Sequence, residues 1–98
     1  MAGDAIQVAP HVYKVDLEND KVRVLDTRTE LGGTSDMHSN PIMVGCAISD
    51  CTWDLTDPNG ETVRVEVKAG DTFYLDAVDH AAKDVGTSGS HALLIELK

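Results

Sequence analysis

The sequence predicts an all-β chain folded as an antiparallel barrel or double-sheet jelly roll, and three observations lead there. Apolar and polar residues alternate with period two along much of the chain. No long window carries the three-and-four spacing of an amphipathic helix. Short apolar runs are separated at regular intervals by clusters of Gly, Pro, Asn and Asp, which read as turns. A closed or two-layered antiparallel arrangement also leaves few sheet edges exposed.

Taken in order, residues 1–10 read as an amino-terminal arm, with Pro10 marking where it meets a domain spanning 11–98. Strands are predicted at 12–17, 21–31, 42–48, 52–55, 62–67, 72–75, 80–85 and 91–97. The separators are 18–20, 32–36, 68–71 and 86–90, each rich in turn formers. The clearest strand is Thr62-Val63-Arg64-Val65-Glu66-Val67, whose valines point one way and whose polar residues point the other. Trp53 and Leu55 alternate in the same manner with Thr52 and Asp54. Between these two runs lies Asp57-Pro58-Asn59-Gly60, where proline presets a turn and glycine tolerates positive φ, so the pair is predicted to form a hairpin.

Length and charge bound the function. Ninety-eight residues suffice for one domain with one modest core. A formal charge of −9 with only eight scattered Lys and Arg residues argues against nucleic acid, which needs clustered cations to displace counterions. No segment approaches the roughly 20 consecutive apolar residues of a membrane span, and Met1-Ala2-Gly3-Asp4 is no secretory n-region, so a cytoplasmic chain without membrane contact is expected. Cys46 and Cys51 match neither zinc nor thioredoxin-type spacing and are expected to be reduced, packed thiols, a disulfide across a hairpin loop being the other reading.

Two segments carry the candidate chemistry: Met37-His38-Ser39-Asn40-Pro41, and the stretch from Gly70-Asp71 to Asp79-His80. Residues two apart on a strand share a face, so His38 and Asn40 can both enter a barrel interior, whereas His80 would have to come from a strand adjacent in space to join them. With this strand order and these segments the chain resembles the small single-domain cupins. They usually carry a glycine, a His-x-His pair and a third ligand, then a second motif running from Gly-Asp to a last histidine. Gly33 and His38 match the first motif, and Gly70, Asp71 and His80 match the second. Asp84 stands where many cupins have asparagine.

The departures bear on metal. Asn40 replaces the second histidine, Met43 stands in place of the third ligand, and Asp76 and Val78 occupy a stretch where relatives often carry Pro-x-Gly. The resemblance implies a pocket of His38, Asn40, Met43 and His80, with His38 and His80 as its strong metal donors and Asn40 and Met43 as weak ones. Amide oxygen is a weak ligand and thioether a soft one, so a filled site would take a divalent transition metal (copper, nickel, iron or zinc), the donor set tilting towards copper or nickel over magnesium or calcium. Alternatively the histidines are hydrogen-bonded pocket groups, Met43 fills space and Asn40 caps a turn beside Pro41. His11 and His91 flank strand starts and read as surface residues.

Gly45 and Ala47, if inward, leave room for a ligand; otherwise they allow close approach of a sheet or partner. Glu96, Tyr74, Asp79 and Asp84 are ionisable groups near predicted strands, where a desolvated carboxylate acts as acid or base. Otherwise the acidic stretches 54–57 and 76–84 are solvated surface. Three functions follow: a small-molecule-binding protein with a degenerate metal site, a metal-dependent oxidoreductase, dioxygenase or isomerase, and a non-catalytic ligand sensor. Homodimerisation is expected under each.

Overall fold

The computed structural model describes residues 2–98. A short helix, α1 (Ala5–Val8), precedes nine strands: β1 (Tyr13–Glu18), β2 (Val22–Thr29), β3 (Thr34–Asn40), β4 (Met43–Ala47), β5 (Cys51–Thr56), β6 (Thr62–Val67), β7 (Thr72–Leu75), β8 (Val78–Asp84) and β9 (Ser90–Leu97). They form a five-stranded sheet ordered β1-β2-β9-β4-β7 and a four-stranded sheet ordered β3-β8-β5-β6, every strand pair antiparallel. The arrangement is the predicted antiparallel jelly roll. Its core lies between the sheets in two clusters, one around Tyr13, Leu25, Met43 and Leu94, the other around Ala47, Cys51, Trp53 and Ala92.

The turns form for the reasons read from their residues. At the β5–β6 hairpin the Asp57 carboxylate accepts from the amides of Asn59 and Glu61 at 2.9 and 3.0 Å, and Gly60 takes φ 84°, which a side chain would oppose. Asn19 closes the β1–β2 turn by accepting from the amides of Lys21 and Val22.

One strand was not among the eight predicted. Residues 32–36 read as a separator, yet β3 begins at Thr34. Its inward residues, Ser35, His38 and Asn40, are polar, and a register shift between Ser35 and His38 breaks the period of two. A polar, bulged strand has no hydrophobic alternation to detect.

Residues 2–10 fold back onto the sheets. Asp4 caps α1 by accepting from the Ile6 amide, and Ala5 and Ala9 are completely buried in the first cluster. Arg23 ties this segment down, donating to both carboxylate oxygens of Asp4 at 2.7 and 3.1 Å and to Glu96 at 2.6 Å. Met1 lies outside the described residues. No helix among the described residues is long and apolar enough to cross a membrane.

Candidate functional site

His38 and His80 are direct cross-strand partners on β3 and β8. Both rings point inward and are buried, with centroids 4.9 Å apart and planes at 87°. Asn40, two residues after His38, also points inward, and its Nδ2 donates to His80 Nε2 at 3.0 Å. Tyr13, at the start of β1, closes the group from the other sheet, its hydroxyl 3.2 Å from His38 Nε2.

The partners set the tautomers. The Asp36 carbonyl, 2.7 Å from His38 Nδ1, can only accept, so Nδ1 carries the proton and Nε2 accepts from Tyr13. Burial holds the Tyr13 hydroxyl above its ordinary pKa and so keeps it a donor. With the Asn40 amide nitrogen donating to His80 Nε2, the His80 proton is assigned to Nδ1, and Asn40 Oδ1 is left buried without a partner among the described residues. Burial also depresses both imidazoles. His80 falls to about 4, with the neighbouring His38 pushing the same way; His38 falls too, opposed by its bond to the Asp36 carbonyl. At neutral pH both rings are uncharged.

These residues do not fit a metal ion. Among the described residues no three His, Cys, Asp or Glu side chains gather as a metal centre requires. His38 makes the backbone contact through Nδ1 that a metal-bound imidazole makes, but its Nε2 faces the Tyr13 hydroxyl, and His80 Nε2 faces the Asn40 amide. Protein donors stand where an ion would need lone pairs. Met43 is buried in the first apolar cluster among Leu25 and Leu94.

Beside this group runs an interior cavity of about 40 Å³. Its wall is mainly apolar, with Trp53, Leu55, Phe73 and Leu94 contributing, and His80 and Met43 reach it while His38 and Asn40 stand outside its lining. Ser35 also lines it, its buried hydroxyl set beside the Tyr13 hydroxyl. At about 10–15 Å³ per water the space takes only a few non-hydrogen atoms without movement. Gly45 does face inward, but the room it leaves is filled: a methyl group there would overlap the Phe73 ring.

The ionisable candidates separate. Asp84 is buried and lines the cavity, where its carboxyl oxygens accept from Thr29 Oγ1, Ser90 Oγ and the Gly86 amide, so its oxygens are partnered within the fold. Glu96 is buried against Arg23. Asp79 accepts from Ser39 Oγ and the Ala2 amide, and the Ser39 bond chiefly lowers its pKa. Tyr74 is exposed on the outside of the five-stranded sheet. His11 is exposed and contacts the Thr34 carbonyl, His91 is half-buried and 2.7 Å from Asp26, and both cysteines are free thiols. Tyr13, Ser35, Trp53 and Phe73 went unnoticed as site residues. Only strand parity could have shown them inward, and for Ser35 the bulge removes even that.

No protein-family model matches the chain, and no curated protein does. Solved structures do. A cupin domain from Bordetella pertussis superimposes with a TM-score of 0.79 at 20% identity, over 100% of this chain and 97% of that one. An RmlC-like cupin with a double-stranded β-helix fold from Methanocaldococcus jannaschii gives 0.68 at 12% identity, over 88% and 78%. A conserved protein with a double-stranded β-helix domain from Klebsiella pneumoniae gives 0.66 at 19% identity, over 88% and 70%. The jelly roll of this chain is the cupin fold.

Proposed function

We propose that this chain is a metal-independent binding module whose interior takes a small, largely apolar molecule bearing a hydrogen-bond acceptor. The observation that carries the reading is the His80 ring, held through Nε2 by Asn40 and lining a mainly apolar cavity. Few convergent polar groups in an apolar hollow are what fix the orientation of a small ligand. Ser35 Oγ supplies a second polar group on the same wall. The cavity volume limits a ligand to a few non-hydrogen atoms unless Phe73 swings away from Gly45.

Binding is favoured over acid–base catalysis by the proton affinity of His80. A general base works best with a pKa near the working pH, and a ring depressed to about 4 is a poor acceptor at neutrality. The metal-dependent reading is disfavoured by the protein donors facing both Nε2 atoms. A ligand sensor is the form of the proposal that needs no turnover.

The test combines elemental analysis with fluorescence. Protein purified without chelator or polyhistidine tag should hold far less than one equivalent of transition metal. Trp53, the single tryptophan, lines the cavity and reports occupancy directly. Screening short-chain carboxylic acids, ketones and amides should yield compounds that shift its emission in the native protein and fail to do so in His80→Phe. One tightly held metal equivalent per chain, lost in His38→Ala, overturns the proposal, as does a screen in which His80→Phe binds every hit as well as the native chain.

A further inference from the structure

The two sides on which the sheets meet are finished differently. On one side α1 packs against β1 and β3, and Ala5 and Ala9 are completely buried in the core there. On the other side β6 ends the four-stranded sheet and β7 ends the five-stranded one; a turn at 68–71 joins them, but they do not pair with each other. Both lips of this seam are apolar. Val63 pairs with Leu55 and Leu55 with Ala82, so the three share the inward face and form a row from β8 to the edge strand. Leu55 and Ala82 line the cavity that His80 also lines, whereas Val63, the next residue of the row, is 64% exposed. Leu75, half-buried on β7, lines the cavity from the facing sheet.

We infer, building on the binding module proposed above, that this row is a track for an aliphatic chain, and that the ligand is an uncharged linear molecule whose polar head sits at His80 while its tail leaves over Leu55 and Val63. Three observations select that class. The first is volume. A cavity of about 40 Å³ takes a head of a few non-hydrogen atoms and no more, so the rest of a ligand must lie outside it, and the row continues the cavity's own apolar wall outward without requiring Phe73 to move. The second is length. Ala82, Leu55 and Val63 stand on three adjacent strands, and two strand spacings of about 4.8 Å give a track of about 10 Å, which fits an extended tail of roughly seven carbons. The third is charge. The chain carries −9, the His80 ring is uncharged at neutral pH, and Lys83 stands on the outer face between inward Ala82 and Asp84. A carboxylate head at His80 therefore meets no cation among the described residues, whereas a neutral carbonyl head costs far less to desolvate there.

Titrating the full chain with methyl ketones from butanone to undecanone, followed by Trp53 emission, tests this. In the native protein affinity should rise about two- to fourfold with each added methylene and level off near nonanone, where the tail reaches the end of the row. Nonanoate should bind at least tenfold more weakly than nonanone. Val63→Glu, at an exposed position where circular dichroism should not change, should weaken nonanone tenfold or more and butanone far less. Thr52→Lys, on the outer face of the same sheet, should alter neither. Butanone that binds with no gain from longer tails overturns the track and leaves the binding module standing, whereas failure of every ketone, acid and amide to bind overturns both. A gain with chain length that Val63→Glu does not touch also overturns the track, because the tail then lies elsewhere. So does self-association of the native chain that Val63→Glu abolishes, since the row would then hold a second copy.

Discussion

The two ends of the interior differ in the polar groups they bury beside their apolar clusters. At the end beneath α1, beside the apolar cluster of Ala5, Ala9, Leu25, Met43 and Leu94, Tyr13 is hydrogen-bonded to His38 and Asn40 to His80, and Arg23 joins Glu96 to Asp4. At the end around Trp53, packing is nearly all apolar, with Trp53 edge-on to Phe73 at 5.9 Å and Asp84 as the buried carboxyl, held by three donors. Polar burial holds only while each partner is present, because an unpaired buried group keeps its full desolvation penalty. Apolar burial degrades gradually with volume. The polar end should therefore be the brittle one, and the apolar end the one able to adapt to a guest.

Arg23→Met should be the most damaging change, since it leaves the Glu96 carboxylate buried without its partner. A loss of about 3–5 kcal/mol is expected from urea unfolding. Adding Glu96→Gln should recover part of it, and no recovery would show that the contact is ordinary packing.

Acidification should come next. The unfolded chain binds protons at His80 below about pH 6.5, whereas the folded chain resists until about pH 4. The unfolded state therefore holds more protons within that window, and stability must fall as pH drops from 6.5 towards 4. The loss from His80 amounts to about 3 kcal/mol, and the lowered pKa of His38 acts in the same direction. Asp4 and Asp79, whose pKa values are depressed, add their losses only below the window. His80→Asn should flatten the curve above pH 4; an unaltered slope would place the effect elsewhere.

Gly45→Ala probes the apolar end. The added methyl must push Phe73 aside, an overpacking worth about 1–3 kcal/mol, and Trp53 emission should move with it. Unchanged emission would mean that the two rings are not coupled. Val63→Thr, at a position 64% exposed near the hairpin tip, should change stability by less than about 0.5 kcal/mol. A larger effect would show that the hairpin tip has a partner.

Much of the architecture was legible because it rests on local rules. The Asp57–Gly60 turn, the valines of β6 and the inward pair His38 and Asn40 follow from turn chemistry and strand parity, which need no knowledge of the rest of the chain. Hydrophobic alternation did not mark β3, because its inward residues are polar and a bulge interrupts its parity between Ser35 and His38; only the two-residue spacing of His38 and Asn40 at its end was legible. The seating of Ala5 and Ala9 in the core escaped for a related reason: α1 is a single turn, too short to show a period.

Taken alone, the amino-acid order determined an all-β jelly roll, its principal hairpin and the strand faces on which the candidate side chains stand, since each depends on neighbours a few residues away. What the imidazoles do was decided only in three dimensions. Tyr13 lies 25 residues from His38, and Asn40 lies 40 from His80. Whether a buried ring nitrogen meets a hydroxyl, an amide or an ion depends on which distant strand lies opposite it, and that is a property of sheet order and register.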